Sequence, residues 1–199
     1  MSDPCDSTPA ARPGRLVIIS GPSGSGKTTI VTRLLTQCAL PLVMSVSATT
    51  RPPRPGEVDG VDYHFLDVDE FAARRRRGEF LECFEVYEKG RWYGTLSEEV
   101  APRLAAGNWV VLEIDSQGTL AVLAHYPEAI TIFVRPGTFA ELERRLRSRG
   151  TENKADIERR LSEARREWAL AGCYRYQVIN DDVDRAVSET CDILIQAGG

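Results

Sequence analysis

The chain has 199 residues, 42% of them hydrophobic and 27% charged, which is ordinary globular composition and enough length for one α/β domain with inserted segments. Its 25 Lys plus Arg against 29 Asp plus Glu leave a net charge of −4 and a pI near 5.4, so neither a general nucleic-acid partner nor a membrane surface is favoured. No run approaches the ~20 apolar residues that span a bilayer, and two histidines are too few for a His-based metal site. The cysteines, at 5, 38, 83, 173 and 191, form no C-x-x-C motif. Cys38, Cys83 and Cys191 sit in apolar patterns as buried thiols do, and an odd count without a framework fits a reducing, cytoplasmic setting.

Residues 1–14 carry Pro4, Pro9 and Pro13 among small polar residues and lack an apolar stretch. They read as a disordered extension, not a signal peptide. Arg15 to Ser20 is a short apolar, β-branched run, the pattern of a buried parallel strand. From Thr29 to Cys38 the apolar residues fall at 30, 31, 34, 35 and 38, a helical period. Leu42 to Ser47 reads as a second strand, followed by a turn-rich stretch from Ala48 to Asp62. Tyr63 to Leu66 is a short strand, after which Asp67 or Asp69 caps a helix that carries Arg74 to Arg77 and stops at Gly78. Phe80 to Tyr87 and Arg91 to Thr95 read as an antiparallel hairpin turning at Lys89-Gly90.

The parallel pattern then resumes. Ser97 is expected to cap a helix to about Ala106. Trp109 to Asp115 is a buried strand with acids at its end, followed by a helix from Gln117 to His125. Ala129 to Val134 is a strand, and Thr138 caps a helix to about Arg149. Asp156 to Leu170 is a helix with Ile157, Leu161, Ala164 and Trp168 on one stripe. Tyr176 to Asn180 is the last strand and Asp184 to Gln196 the last helix. Strands alternating with helices predict an α/β fold, a doubly wound parallel sheet. Residues 47–95 break the alternation and read as a small mixed α+β insertion.

Between the first strand and first helix lies Gly21-Pro22-Ser23-Gly24-Ser25-Gly26-Lys27-Thr28, a match to G-x-x-x-x-G-K-[ST]. The strand before it and the helix after it supply the context that the motif requires. Its glycines let the backbone curl so that N–H groups point at phosphate oxygens, and the helix, continuing through Thr29, adds its positive N-terminal end. Lys27 supplies charge for β- and γ-phosphates, and the Thr28 hydroxyl suits Mg²⁺. Of the 25 cationic residues only Lys27, Lys89 and Lys154 are lysine. A chain that writes nearly every cation as Arg still writes Lys in the loop.

A second anion site is signalled by Ser47-Ala48-Thr49-Thr50-Arg51-Pro52-Pro53-Arg54-Pro55-Gly56-Glu57. Two arginines three apart in a proline-stiffened loop suit bidentate phosphate binding, and Tyr63 and Tyr93 add hydroxyls; the plainer reading is an exposed basic loop. Glu113 and Asp115, spaced i, i+2 at a strand end, either order Mg²⁺ waters and reach a base or cap the next helix. Glu143 to Gly150 and then Arg159-Arg160 are rich in arginine. The run Arg74 to Arg77 reads as a charged helix face.

The run Ser47 to Gly60 with Tyr63, then Glu82, Tyr93-Gly94-Thr95, Glu113-Ile114-Asp115 with Gln117-Gly118, and Val178-Ile179-Asn180-Asp181-Asp182, resembles guanylate kinase over residues 15–197. The resemblance implies a P-loop nucleoside monophosphate kinase: a core (15–46 and 96–197), a GMP-binding insertion (47–95) and a helical lid near 145–160. It implies ATP and GMP as substrates, Mg²⁺ with ATP, a cytoplasmic enzyme, and a monomer or homodimer. Gly21, Pro22, Ser23, Gly24, Ser25, Gly26, Lys27, Thr28, Thr29 and Asn180 are then expected at ATP. Arg51, Arg54, Tyr63 and Tyr93 match GMP phosphate ligands. Guanine presents N1–H and N2–H₂ donors and an O6 acceptor, for which Glu82, Ser47 and Thr95 match, with Glu113 and Asp115 nearby. Arg145, Arg149 and Arg160 match lid arginines that join Lys27 and Arg51 in stabilising the transferring group. Glu113 stands where many relatives carry Asp. About two extra residues lie between Glu82 and Tyr93, and Trp92, beside Tyr93, is expected in the same site. The alternatives are a non-catalytic protein-binding module of this fold and a P-loop kinase for another small phosphorylated acceptor.

Overall fold

The computed structural model describes residues 14–86, 90–148 and 154–198. The expectations for residues 1–13, the Lys89 turn and Arg149-Gly150 lie outside that range. A central sheet is built from β1 (Leu16–Ser20), β2 (Leu42–Met44), β7 (Trp109–Glu113), β8 (Ile130–Arg135) and β9 (Tyr176–Ile179), in the order β2-β7-β1-β8-β9. Every pairing in it is parallel, as the alternation of strands and helices predicts. The strands are joined by α1 (Lys27–Gln37), α3 (Ser97–Ala105), α4 (Ser116–His125), α5 (Phe139–Ser148) and α6 (Lys154–Ala169), and α7 (Val183–Gly198) follows the last strand.

β1 has no polar face because both of its faces are covered. Val17 and Ile19 join Ile30 and Leu34 of α1 and Val187 and Leu194 of α7 on one side. Leu16 and Ile18 join Val100 of α3 and Val122 of α4 on the other. Alternate residues of one strand therefore feed two cores.

The second sheet interrupts this frame. β3 (Ala48–Thr49), β4 (His64–Phe65), β5 (Phe80–Val86) and β6 (Arg91–Leu96) are ordered β4-β3-β6-β5. β3 and β4 pair in parallel, and β6 is antiparallel to β3 and β5. α2 (Val68–Arg76) covers one face, with Phe71 stacked on Phe80 at 4.5 Å between ring centres.

Four local expectations are corrected. The second strand ends at Met44, because Ala48 and Thr49 leave the large sheet for the small one. Ser97 is the first residue of α3, not its cap; Leu96 holds the cap position and offers no side-chain acceptor. The strand expected to run to Asp115 ends at Glu113, and Asp115 takes the expected alternative of capping the next helix, accepting the Gly118 N–H at 2.7 Å. Cys38 and Cys191 are joined in a disulfide with their Cα atoms 5.7 Å apart, while Cys83 and Cys173 are free. Among the described residues, no helix is long and apolar enough to cross a membrane.

Candidate active site where the parallel strands end

The carboxyl ends of β1 and β7 open on a cleft of about 790 Å³, the usual ligand position in an open parallel sheet. Gly21, Gly24, Gly26, Lys27, Thr28 and Thr29 line one wall. Two glycines there have no substitute. Gly26 sits at φ 89° at the head of α1, and a Cβ on it would meet Asn180 Nδ2 at 2.3 Å. Gly21, at φ 138°, would place a Cβ 2.0 Å from Val134 O. Lys27 Nζ curls over the loop and donates to Gly21 O at 2.5 Å and Pro22 O at 3.1 Å. Thr28 Oγ1 donates to Glu113 Oε1 at 2.7 Å, which sets a hydroxyl and a carboxylate side by side at the strand ends.

The facing wall includes Arg54 and Tyr63 from the small sheet's loops, and behind them lies Arg51. Arg51 is only 5% exposed. Its guanidinium is gripped by Glu57 through two 2.9 Å bonds and lies 5.4 Å from the Tyr63 ring centre. The Tyr63 and Tyr93 rings meet edge to face at 6.0 Å. The two arginines and two tyrosines of the predicted phosphate site are thus neighbours. Burial pushes the Tyr63 hydroxyl above its usual pKa, so it remains a donor at neutral pH.

The guanylate kinase family model matches residues 13–197. The chain belongs to the guanylate kinase family. It is 54% identical to the guanylate kinase of Rhodopirellula baltica over 98% of this chain and 95% of that one. It is 47% identical to the guanylate kinase of Thermosynechococcus vestitus over 88% and 91% of the two chains. A crystal structure of guanylate kinase from Anaplasma phagocytophilum superposes with a TM-score of 0.75 at 30% identity, covering 92% of this chain and 86% of that one.

Beside this guanylate kinase cleft, Glu82 accepts the Thr95 hydroxyl at 2.7 Å. Thr95 is therefore a donor, but its proton is spent on Glu82. Burial, with the Asp115 charge adding to it, raises the Glu82 carboxyl to about 7 despite that bond. Glu82 packs under Gly118 of α4, where a Cβ would lie 3.3 Å from Glu82 Oε2. Glu113 and Asp115 both line the cleft, although Asp115 also serves as the α4 cap. Ser47 is absent from the cleft wall; its carbonyl accepts the His64 N–H at 2.9 Å.

Four predicted site residues serve the guanylate kinase loop from behind. Ser25 is fully buried, and Pro22 O accepts the Ser25 N–H at 3.1 Å, so neither lines the cleft, although Ser23 between them does. Asn180 is buried and donates to Ser25 O at 2.8 Å. Arg145 binds Glu141 at 2.7 Å and the Asn180 carbonyl at 3.0 Å, which ties α5 to the end of β9. Arg160 lines the cleft, and Arg149 falls outside the described residues. Trp92 is corrected: it faces away from the cleft, with the Arg75 guanidinium 4.5 Å from its ring centre and Phe71 at 6.0 Å.

The sequence reading missed three acids and one cation. Glu57 stands in the basic loop, where its sequence context points to no role. Glu163, Arg166 and Glu167 on α6 face the cleft one turn or less apart. Burial raises Glu167 to about 7 despite the opposing attraction of Lys27, and raises Glu163 as well. Their spacing with Ala164 and Arg160 was the available signal, hidden because the helix was read for its apolar stripe.

Proposed function

We infer that the chain is a guanylate kinase that moves the γ-phosphoryl group of ATP to GMP, giving ADP and GDP, and we propose the following division of labour. One observation carries it: a complete glycine loop with Lys27 and a basic loop with Arg54 and Tyr63 open on the same cleft. A donor triphosphate and an acceptor monophosphate are held face to face by such an arrangement.

Residues 21–29 cradle the ATP phosphates, Lys27 meets the β- and γ-oxygens, and Asn180 braces the loop. Arg51, Arg54, Tyr63 and Tyr93 bind the GMP phosphate. Glu82 accepts from guanine N1–H and N2–H₂, with Ser47, Thr95, Glu113 and Asp115 around the base. Arg145, Arg149 and Arg160 belong to a lid of about residues 145–160 that closes over the transferring group. Residues 15–46 and 96–197 form the core and 47–95 the GMP-binding insertion. Closure excludes water, which would otherwise accept the phosphoryl group.

The Thr28 hydroxyl and Glu113 carboxylate are hard oxygen donors that would help to hold Mg²⁺. When bound, that ion neutralises charge on the phosphates. The enzyme is proposed to work in the cytoplasm as a monomer or homodimer. The binding-module alternative loses support because the loop, Lys27 and the cleft arginines are all present.

Lys27→Met tests the assignment. It is expected to fold and to lose about 10³-fold or more in turnover, since charge is removed where charge develops. An ADP-release assay across GMP, dGMP, AMP, UMP and ribose phosphates would read both that loss and a preference for guanine. Retention of a tenth of the turnover would refute the role of Lys27.

A further inference from the structure

The chain crosses between the two sheets twice, and one carboxylate touches both crossings. At the first, the Ser45 N–H still donates to Val111 O of the large sheet at 3.0 Å, while Ser47 O already accepts from the His64 N–H of the small sheet at 2.9 Å. Val46 is the single residue between them. Its N–H donates to Glu99 Oε2 at 3.2 Å. The second crossing is Leu96-Ser97, where β6 runs directly into α3, and Glu99 stands in the first turn of α3.

The other carboxylate oxygen reaches the small sheet. Glu99 Oε1 lies 3.1 Å from His64 Nε2 on β4. Arg103, one helical turn on, donates to Glu99 Oε2 and, at 2.6 Å, to the Glu99 carbonyl, so the side chain is anchored to its own helix. The Glu99 side chain is only 13% exposed. A carboxylate so enclosed is costly unless its oxygens are satisfied, and here both are. Burial pushes this carboxyl up, yet the Arg103, Val46 and His64 hydrogen bonds together hold it below the usual carboxylate range.

We propose that Glu99 is a positioning residue for the acceptor: through Val46 and His64 it sets the angle between the GMP-bearing small sheet and the donor cleft. The inference rests on reading the small sheet as the acceptor side. Val46 has two soft dihedrals, and on its own it would let the small sheet swing. The bond to the Val46 N–H fixes one peptide plane. The bond to His64 adds a second restraint away from that axis. Arg51, Tyr63 and Tyr93 all ride on the restrained side, whereas residues 21–29 do not, so loss of the restraint penalises GMP and spares ATP.

The test measures KM for each substrate separately. Glu99→Ala and His64→Ala should each raise KM for GMP roughly tenfold, with KM for ATP within about twofold of the parent, the scale of a lost charged hydrogen bond that positions a substrate. His64→Gln, whose amide nitrogen can reach the position of Nε2, should restore most of the loss. The double variant should be little worse than Glu99→Ala alone, because His64 acts through Glu99. Should Glu99→Ala fail to fold, His64→Ala and Glu99→Gln carry the same comparison. An unmoved KM for GMP, an equal rise in both KM values, or full additivity of the two substitutions would overturn the proposal. Arg51→Ala is run alongside. If it leaves KM for GMP unchanged, the acceptor reading itself has failed, and the proposal falls for that separate reason.

Discussion

Glu57 holds the end of the Arg51 guanidinium with both carboxylate oxygens, each bond 2.9 Å long. The same carboxylate accepts the Arg54 N–H at 2.7 Å, so it also folds the loop between the two arginines. Arg51 has five N–H donors. Two on Nη1 go to Glu57 and Pro52 O, and one on Nη2 goes to Glu57. Tyr93 is a further hydrogen-bonding neighbour of the guanidinium. Glu57 therefore fixes the orientation of the guanidinium within the acceptor loop. The mutual bond raises the Arg51 pKa and lowers that of Glu57.

Glu57→Ala is accordingly expected to raise KM for GMP about tenfold and to leave KM for ATP unchanged, because a charged bidentate contact is lost from the acceptor loop alone. Initial rates with each substrate varied in turn check this. An unaltered KM for GMP would mean that Arg51 holds its orientation without Glu57.

Glu82 gives a pH dependence with a definite sign. Its carboxyl is raised from 4.5 to about 7, first by burial, so in the empty enzyme it is largely protonated below neutrality. Guanine N1–H and N2–H₂ need an acceptor, so GMP must release that proton. The specificity constant for GMP should fall about tenfold for each pH unit below 7 and level off above it. The GMP phosphate titrates at about pH 6 as well, so the comparison is with Glu82→Gln, which keeps the phosphate's contribution and removes the carboxyl's. Parallel pH profiles for the two proteins would show that Glu82 does not read the base.

Glu167 gives the matching prediction for stability. Burial raises it to about 7 even with Lys27 attracting its charged form, so desolvation outweighs the pairing. An acid whose folded pKa lies above its unfolded value stabilises the fold below the unfolded pKa and loses that contribution as pH rises through the folded one. Glu167→Gln should therefore be more stable than the parent at pH 8, by about 1 to 2 kcal/mol, with the difference vanishing near pH 4. Urea melts at the two pH values decide it. A difference that shrinks as pH rises would reverse the assignment.

Asn180 supports the loop without lining the cleft. Its single neutral bond to Ser25 O is worth about a 3- to 10-fold change, so Asn180→Ala should raise KM for ATP by that factor and spare GMP. Steady-state titration of ATP at saturating GMP reads it. A larger effect on GMP than on ATP would place the role of Asn180 elsewhere.

The glycine loop was legible because its signals are local: a buried apolar strand, glycines at fixed spacing, and a helical period after Lys27. The parallel sheet was legible for the same reason. Pairings that cross the fold were not. Asn180 meets Ser25 across 155 residues and Glu99 meets Val46 across 53, and neither separation leaves a periodic trace. Trp92 is a different lesson. It precedes Tyr93 on one strand, so strand geometry sends the two rings to opposite faces, and adjacency in sequence argued for the wrong side. Asp115 was misplaced by reading the strand two residues too long; once β7 stops at Glu113, the next acid is free to cap a helix.

The bond between Cys38 and Cys191 spans 153 residues, from the end of α1 to the middle of α7. With it formed, the backbone is a ring that carries two tails. The arginines of α5, both crossings between the sheets and the whole acceptor side lie on the ring. One backbone cut anywhere along it leaves a single covalent molecule, and two cuts are needed before any piece can leave. A protease nick between α5 and α6 would separate the chain into fragments on a reducing gel and into none on a non-reducing one.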